Sequence, residues 1–138
     1  MTHATSRIPI HASADAIWQF ISDFGASGHY LAGVVSCSVE GEGVGARRTL
    51  TYADGSIIVE HLAALHATVQ RLSYALLTDT PFGSLLTTMS LRDLGPGQAE
   101  LMWSGSFQPV GIPASEAVDL LEGALAANCL ALKQFLER

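Results

Sequence analysis

The sequence predicts an α+β fold in which a seven-stranded antiparallel sheet curves around one long C-terminal helix, with two short helices inserted between the first and second strands. Three observations carry that expectation. From Pro113 to Arg138, apolar residues recur at Ala117, Leu120, Leu121, Ala124, Leu125, Leu132 and Phe135, the three-to-four spacing of a helix face pressed on a core. Upstream, runs of period-two alternation replace that spacing. Between those runs the connections are short and carry turn residues, which makes sequential strands antiparallel neighbours.

The terminal helix has marked ends. Pro113 suits a first turn, where its missing N–H costs nothing, and Glu116 and Asp119 lie near the positive end of the helix dipole. Lys133 and Arg138 fall near the negative end. At 1.5 Å per residue the helix spans roughly 35–40 Å, enough to cross a small domain. A lone amide, Asn128, sits on its buried side.

In chain order, Thr5 to His11 is a short extended start. Ser13 then caps a helix over Ala14 to Phe24, with Ile17, Phe20, Ile21 and Phe24 on one face and Gly25 at the stop. Ala26 to Gly33 is a compact irregular or helical link carrying His29 and Tyr30. Six strand-like runs follow: Val34–Glu40, Gly45–Ala53, Ser56–Leu65, Arg71–Thr78, Ser84–Arg92 and Gln98–Phe107. Asp54-Gly55 and Gly95-Pro96-Gly97 mark two of the hairpins.

Alternation assigns faces. Arg48, Leu50 and Tyr52 share one face of their strand, and Ala99, Leu101, Trp103, Gly105 and Phe107 share one face of the last. In the fourth strand Ile58, Glu60 and Leu62 oppose Val59, His61 and Ala63, and the pattern does not choose which set points inward.

Composition bounds function. With 138 residues one domain, residues 1–138, is expected, large enough to bury a core without disulfides or metal. Thirteen carboxylates stand against seven Lys and Arg, for a net charge of −6, and Arg47-Arg48 is the only adjacent cationic pair. Nucleic acid and anionic membrane are therefore poor partners. Cys37 and Cys129 form no metal-spaced cluster and read as reduced, buried thiols. The N-terminus has no apolar leader segment and no stretch reaches membrane-span length, so a soluble, cytoplasmic protein is expected. Hydrophobic residues make up 49% of the chain and charged residues only 14%, against about a quarter charged in ordinary domains. Either an apolar interface, as in a homodimer, or an internal cavity with an apolar wall accounts for that excess.

Several strings carry a resemblance: HASADAIWQFISDFGASGHYLAGV from His11, VEGEGVGARRTLTYADG from Val39, VEHLAAL from Val59, MWSGSFQPVGIP from Met102, and the final helix. Together they resemble the START-like, or SRPBCC, superfamily with the helix-grip fold, and within it the bacterial polyketide cyclase/dehydrase sequences. The resemblance implies a curved sheet gripping the C-terminal helix around a cavity for a small hydrophobic, aromatic or polyketide-like molecule. By similarity to plant abscisic acid receptors of that fold, Glu60 matches an inward cavity glutamate and Asn128 an inward helix asparagine. The lysine with which those receptors hold an acid falls near Val35, so that route is not expected here. Tyr30 stands where many relatives have Trp.

The chemistry this implies is acid/base work without metal, nucleotide or other cofactor. Glu60 is the expected acid/base, Arg48 and Tyr52 the oxygen-binding donors, for a cyclase/dehydratase-type reaction. Tyr30, Leu50, Tyr74, Leu85, Thr87, Met89, Trp103, Phe107, Leu120, Ala124 and Asn128 are the expected ligand-binding residues. The alternatives remain open at this point. Glu60 and Arg48 equally satisfy each other in a pocket wall, Asn128 equally bonds backbone or water, and a carrier or sensor of an apolar ligand fits the same residues. His61 is expected on the solvent side if Glu60 points inward, and His29 near the pocket mouth.

Overall fold

A computed structural model describes residues 1–138. Strand β1 (Thr2–Ile10) is followed by helix α1 (Ala14–Ile21), a 3-10 helix (Phe24–His29), β2 (Val34–Glu40), β3 (Arg47–Tyr52), β4 (Ile57–His66), β5 (Arg71–Leu76), β6 (Phe82–Gly95), β7 (Gln98–Pro109) and α2 (Ala114–Glu137). The seven strands form one antiparallel sheet in the order β1-β7-β6-β5-β4-β3-β2. Sequential hairpins explain every neighbour but one: β1 closes on β7, from Thr2 opposite Phe107 to Ile10 opposite Ala99. The first strand thus begins three residues earlier than its sequence pattern suggests, because β7 offers pairing along its whole length.

The first helix is shorter than the periodicity predicts. Ser13 caps it as expected, its hydroxyl accepting from the Ala16 N–H at 3.1 Å. Asp23 then stops it, because its carboxylate accepts from the Gly25 N–H at 3.1 Å and opens the 3-10 helix instead. Phe24 therefore belongs to the second helix, and in a 3-10 helix of three residues per turn Phe24, Ser27 and Tyr30 fall on one line. All three are buried.

Helix α2 lies on the concave face over β1 and β7. Ala117, Leu121, Leu125, Cys129 and Leu132 form its buried stripe. Close approach is set by Gly105 on β7: a Cβ there would meet Leu121 Cδ2 and Leu85 Cδ1, each at 2.9 Å. Gly105→Ala is accordingly expected to cost about 1–3 kcal/mol by overpacking, read as a lower urea midpoint with an unchanged m-value. At the far end Glu137 accepts from the His11 N–H at 2.8 Å and Lys133 Nζ donates to the Pro9 carbonyl at 3.0 Å. The helix end is thereby tied to the β1–α1 corner. Lys133 Nζ also pairs with the Glu137 carboxylate one turn on, at 2.5 Å, so its charge is held within the same tie.

Part of the hydrophobic excess goes to the surface. Val35, Ile57, Leu77, Val110 and Leu120 are exposed at the end of the molecule where β2 and β4 begin and β3, β5 and β7 finish. No helix is long and apolar enough to cross a membrane. Both cysteines are free; Cys129 is buried, whereas Cys37 on the edge strand β2 is only half-buried.

Candidate functional site

The site is built on the concave face where β3, β4 and β5 pass the 3-10 helix. Arg48 stands directly opposite Glu60 in the β3–β4 ladder. Glu60 rather than His61 faces inward, since the carboxylate finds its counter-charge there and the imidazole, half-buried opposite Arg47, does not need one. Arg48 Nε donates to Glu60 Oε1 at 2.9 Å, and Arg48 Nη1 donates to the Ser27 hydroxyl. Ser27 in turn donates to the Phe24 carbonyl at 3.0 Å. The guanidinium carbon lies 4.1 Å from the Phe24 ring centroid and 4.4 Å from that of Tyr74, and the two rings, tilted with centroids 6.1 Å apart, wall it on adjacent sides.

Phenols complete the cluster. Trp103 Nε1 donates to the Tyr74 hydroxyl at 3.0 Å, and Tyr30 packs between Phe20 and Trp103, at ring-centroid distances of 5.3 and 6.4 Å. Arg48, Glu60, Ser27 and Thr87 are the buried polar or charged residues outside the aromatic set. No buried side-chain polar atom lacks a hydrogen-bond partner. Arg48 Nη2 and Glu60 Oε2 make no bond within the protein, so both keep a sliver of solvent contact. Farther along the same face Tyr52, Ile58 and Leu76 are half-buried rather than sealed.

Electrostatics follow from burial. Burial pushes the Glu60 carboxyl above the usual carboxylate range, and the adjacent Arg48 only partly offsets it. Burial works against the charge of Arg48, but the Glu60 carboxylate more than restores it, so the guanidinium stays protonated. Tyr30 and Tyr74 are raised by burial and stay neutral phenols; Tyr52 is raised by burial and by the Glu60 charge.

A raised Glu60 makes native protonation tighter than unfolded protonation, so its contribution favours folding below about pH 4.5 and is lost as pH rises through the native value. The difference in Tm between wild type and Glu60→Gln is expected to fall from pH 5 to pH 8. A difference that grows over that window would mean Arg48 dominates and the carboxyl is depressed.

The other expected residues are distributed unevenly. Leu50, Leu85, Met89 and Phe107 are buried on the concave face, Phe107 edge-on to Phe82 at 5.3 Å. Asn128 Oδ1 accepts from the Ala32 N–H at 3.0 Å, holding the link after the 3-10 helix against α2. Leu120 is 53% exposed and Ala124 is exposed too, because α2 turns its Leu121–Leu125 stripe to the sheet. Neither faces the cluster. His29 is exposed and stacks on Phe135, with centroids 6.1 Å apart, away from Arg48. Val35 is 64% exposed, so its position holds nothing toward the interior.

The expected open gap between sheet and α2 is also corrected. Leu121 and Leu125 of the helix join Leu85, Met89, Trp103 and Phe107 of the sheet in one buried cluster. Four clefts mark the surface, and none is lined by Arg48, Glu60, Tyr74 or Trp103. The largest, about 440 Å³, lies on the convex face between Arg7, Arg92, Glu100 and Met102. Phe24 and Ser27 went unread as site residues, although their three-residue spacing with Tyr30 was there to be found.

A family model described as polyketide cyclase/dehydrase and lipid transport matches residues 1–138. The chain belongs to that family. Solved structures of START-like proteins share its fold. A protein named XoxI from Bacillus cereus is 27% identical over 99% of this chain and 97% of its own, with a TM-score of 0.90. An uncharacterised protein from Bacillus thuringiensis is 26% identical over 97% and 98%, with a TM-score of 0.89. The Zhui aromatase/cyclase from a Streptomyces species is 18% identical over 99% and 93%, with a TM-score of 0.79, which shows shared fold alone. Among curated proteins the chain has no match. The family's description names polyketide cyclase and dehydrase activity and lipid transport.

Proposed function

We propose that this polyketide cyclase/dehydrase family member binds a small hydrophobic, aromatic or polyketide-like molecule against the Arg48–Glu60 cluster and acts on it as a cofactor-free cyclase/dehydratase. One observation carries the reading: a buried carboxylate and guanidinium, on the same face as the half-buried Tyr52, Ile58 and Leu76, each keep one unpaired atom, Oε2 and Nη2. Glu60 takes a proton from the carbon next to a ligand carbonyl while Arg48, assisted by Tyr52, donates to the developing enolate oxygen. The protonated Glu60 then returns that proton to the departing hydroxyl, and water leaves as the new double bond forms. The guest enters by displacing side chains at the Tyr52–Ile58–Leu76 end, since no ready-made cavity holds it.

A non-catalytic carrier is the second reading. It is favoured by how fully Arg48 is engaged, with Glu60, Ser27 and two rings around it. Native mass spectrometry of protein purified from its own host identifies the guest. With that molecule, Glu60→Gln is expected to lower kcat by about 10²–10⁴-fold. Turnover within a few-fold of wild type, or a guest recovered unchanged, removes the enzyme reading and leaves the carrier.

A further inference from the structure

The cluster also has a ligand preference, which deepens the reading above and rests on it. We infer that the interior site takes a neutral molecule bearing an aromatic hydroxyl or enolised carbonyl, and discriminates against carboxylates and other anions.

The argument begins with charge. Arg48 and Glu60 are the only buried Lys, Arg, Asp or Glu side chains, and they cancel. An anion placed beside Arg48 Nη2 also lies beside Glu60, so attraction and repulsion nearly balance while the full cost of removing the anion from water remains. The guanidinium offers no second approach. Phe24 and Tyr74 wall it on adjacent sides, Glu60 occupies the Nε side and Ser27 the Nη1 side. A carboxylate therefore cannot form the two-point fork by which arginine holds acids tightly. The rest of the molecule adds no compensation, since the net charge of −6 repels anions at a distance.

A hydroxyl fits where a carboxylate does not. Its oxygen accepts from Arg48 Nη2 and its proton goes to Glu60 Oε2, so both atoms left without a partner are satisfied at once. A ring carrying that hydroxyl meets Tyr74, Tyr30 and Trp103, which supply aromatic surface rather than further charge. A plain ketone satisfies only the donor and ranks between the two.

Matched single-ring probes test this at pH 7.5: 4-ethylphenol against 4-ethylbenzoate, titrated into the full chain and followed by the Trp103 indole N–H resonance. Trp103 sits in the cluster and the one other tryptophan, Trp18, does not. The phenol is expected to bind at least about 10-fold more tightly than the benzoate, and Glu60→Gln, which leaves Arg48 unbalanced, to move the preference toward the benzoate. If Glu60→Gln fails to fold, Arg48→Gln with Glu60→Gln keeps the interior neutral and is expected to retain the phenol preference; its loss counts against the inference. Equal or tighter binding of the benzoate by wild type, or a ratio untouched by Glu60→Gln, overturns the inference and leaves the ligand-binding reading standing. Failure of both probes to bind up to their solubility overturns both.

Discussion

Arg48→Met is expected to destabilise the fold by about 3–5 kcal/mol, the cost of leaving a buried charge without its partner. Methionine keeps much of the apolar stem between Phe24 and Tyr74, so little of the loss comes from an empty space. What disappears is the donor to Glu60 Oε1 and the donor to Ser27. Glu60 then has burial raising its pKa and nothing lowering it, so the deficit is expected to be larger at pH 8 than at pH 5. Arg48→Met combined with Glu60→Gln removes the orphaned charge and is expected to recover more than half of the loss. Urea denaturation of the four proteins in that cycle measures the coupling directly. A single-variant loss below about 1 kcal/mol would mean the pair is screened by solvent like a surface ion pair, and the site would lose its low-dielectric character.

The same pair shows what the sequence revealed and where it stopped. Alternation placed Arg48 with Leu50 and Tyr52, and Glu60 with Ile58 and Leu62, which are the faces the structure shows. It did not choose between Glu60 and His61, because both faces of β4 mix apolar and polar residues. That choice is made by a neighbour in space, Arg48, twelve residues earlier. The rotation of α2 was illegible for a related reason. Glu116, Asp119, Glu122, Lys133 and Gln134 mark a polar side, but Leu130 falls within it and Leu120 at its border, so the pattern does not say on which side Leu120 ends. The decision falls to Gly105, whose missing side chain admits Leu121 and leaves Leu120 in solvent. The 3.6-residue period carries the first helix on to Phe24, whereas Phe24, Ser27 and Tyr30 repeat every three residues in the 3-10 helix that follows. The high apolar fraction does not go to an open cavity wall: much of it lies in a packed core and in an exposed apolar rim.

Whether that packed core opens for a guest is tested by Trp103→Ala, expected to cost about 3–5 kcal/mol. Trp103 is fully buried on the concave face, tilted against Tyr30 with centroids 6.4 Å apart and bonded to the Tyr74 hydroxyl. Its removal takes away a large apolar surface and a hydrogen bond, and leaves a void beside Arg48 that the rigid strands β5, β6 and β7 do not close. Urea denaturation gives the loss; Trp103→Phe, which keeps a ring but not the donor, is expected to lose less. Added indole separates packing from simple unfolding. It fits the void and is expected to raise the Tm of Trp103→Ala while leaving wild type nearly unchanged, because a ligand stabilises only the state that binds it. An indole effect on wild type as large as on the variant would show that indole acts elsewhere than in the space Trp103 leaves. A loss below about 2 kcal/mol without indole would show that Tyr30 and Met89 collapse into the space, making the interior more pliable than its hydrogen bonds imply.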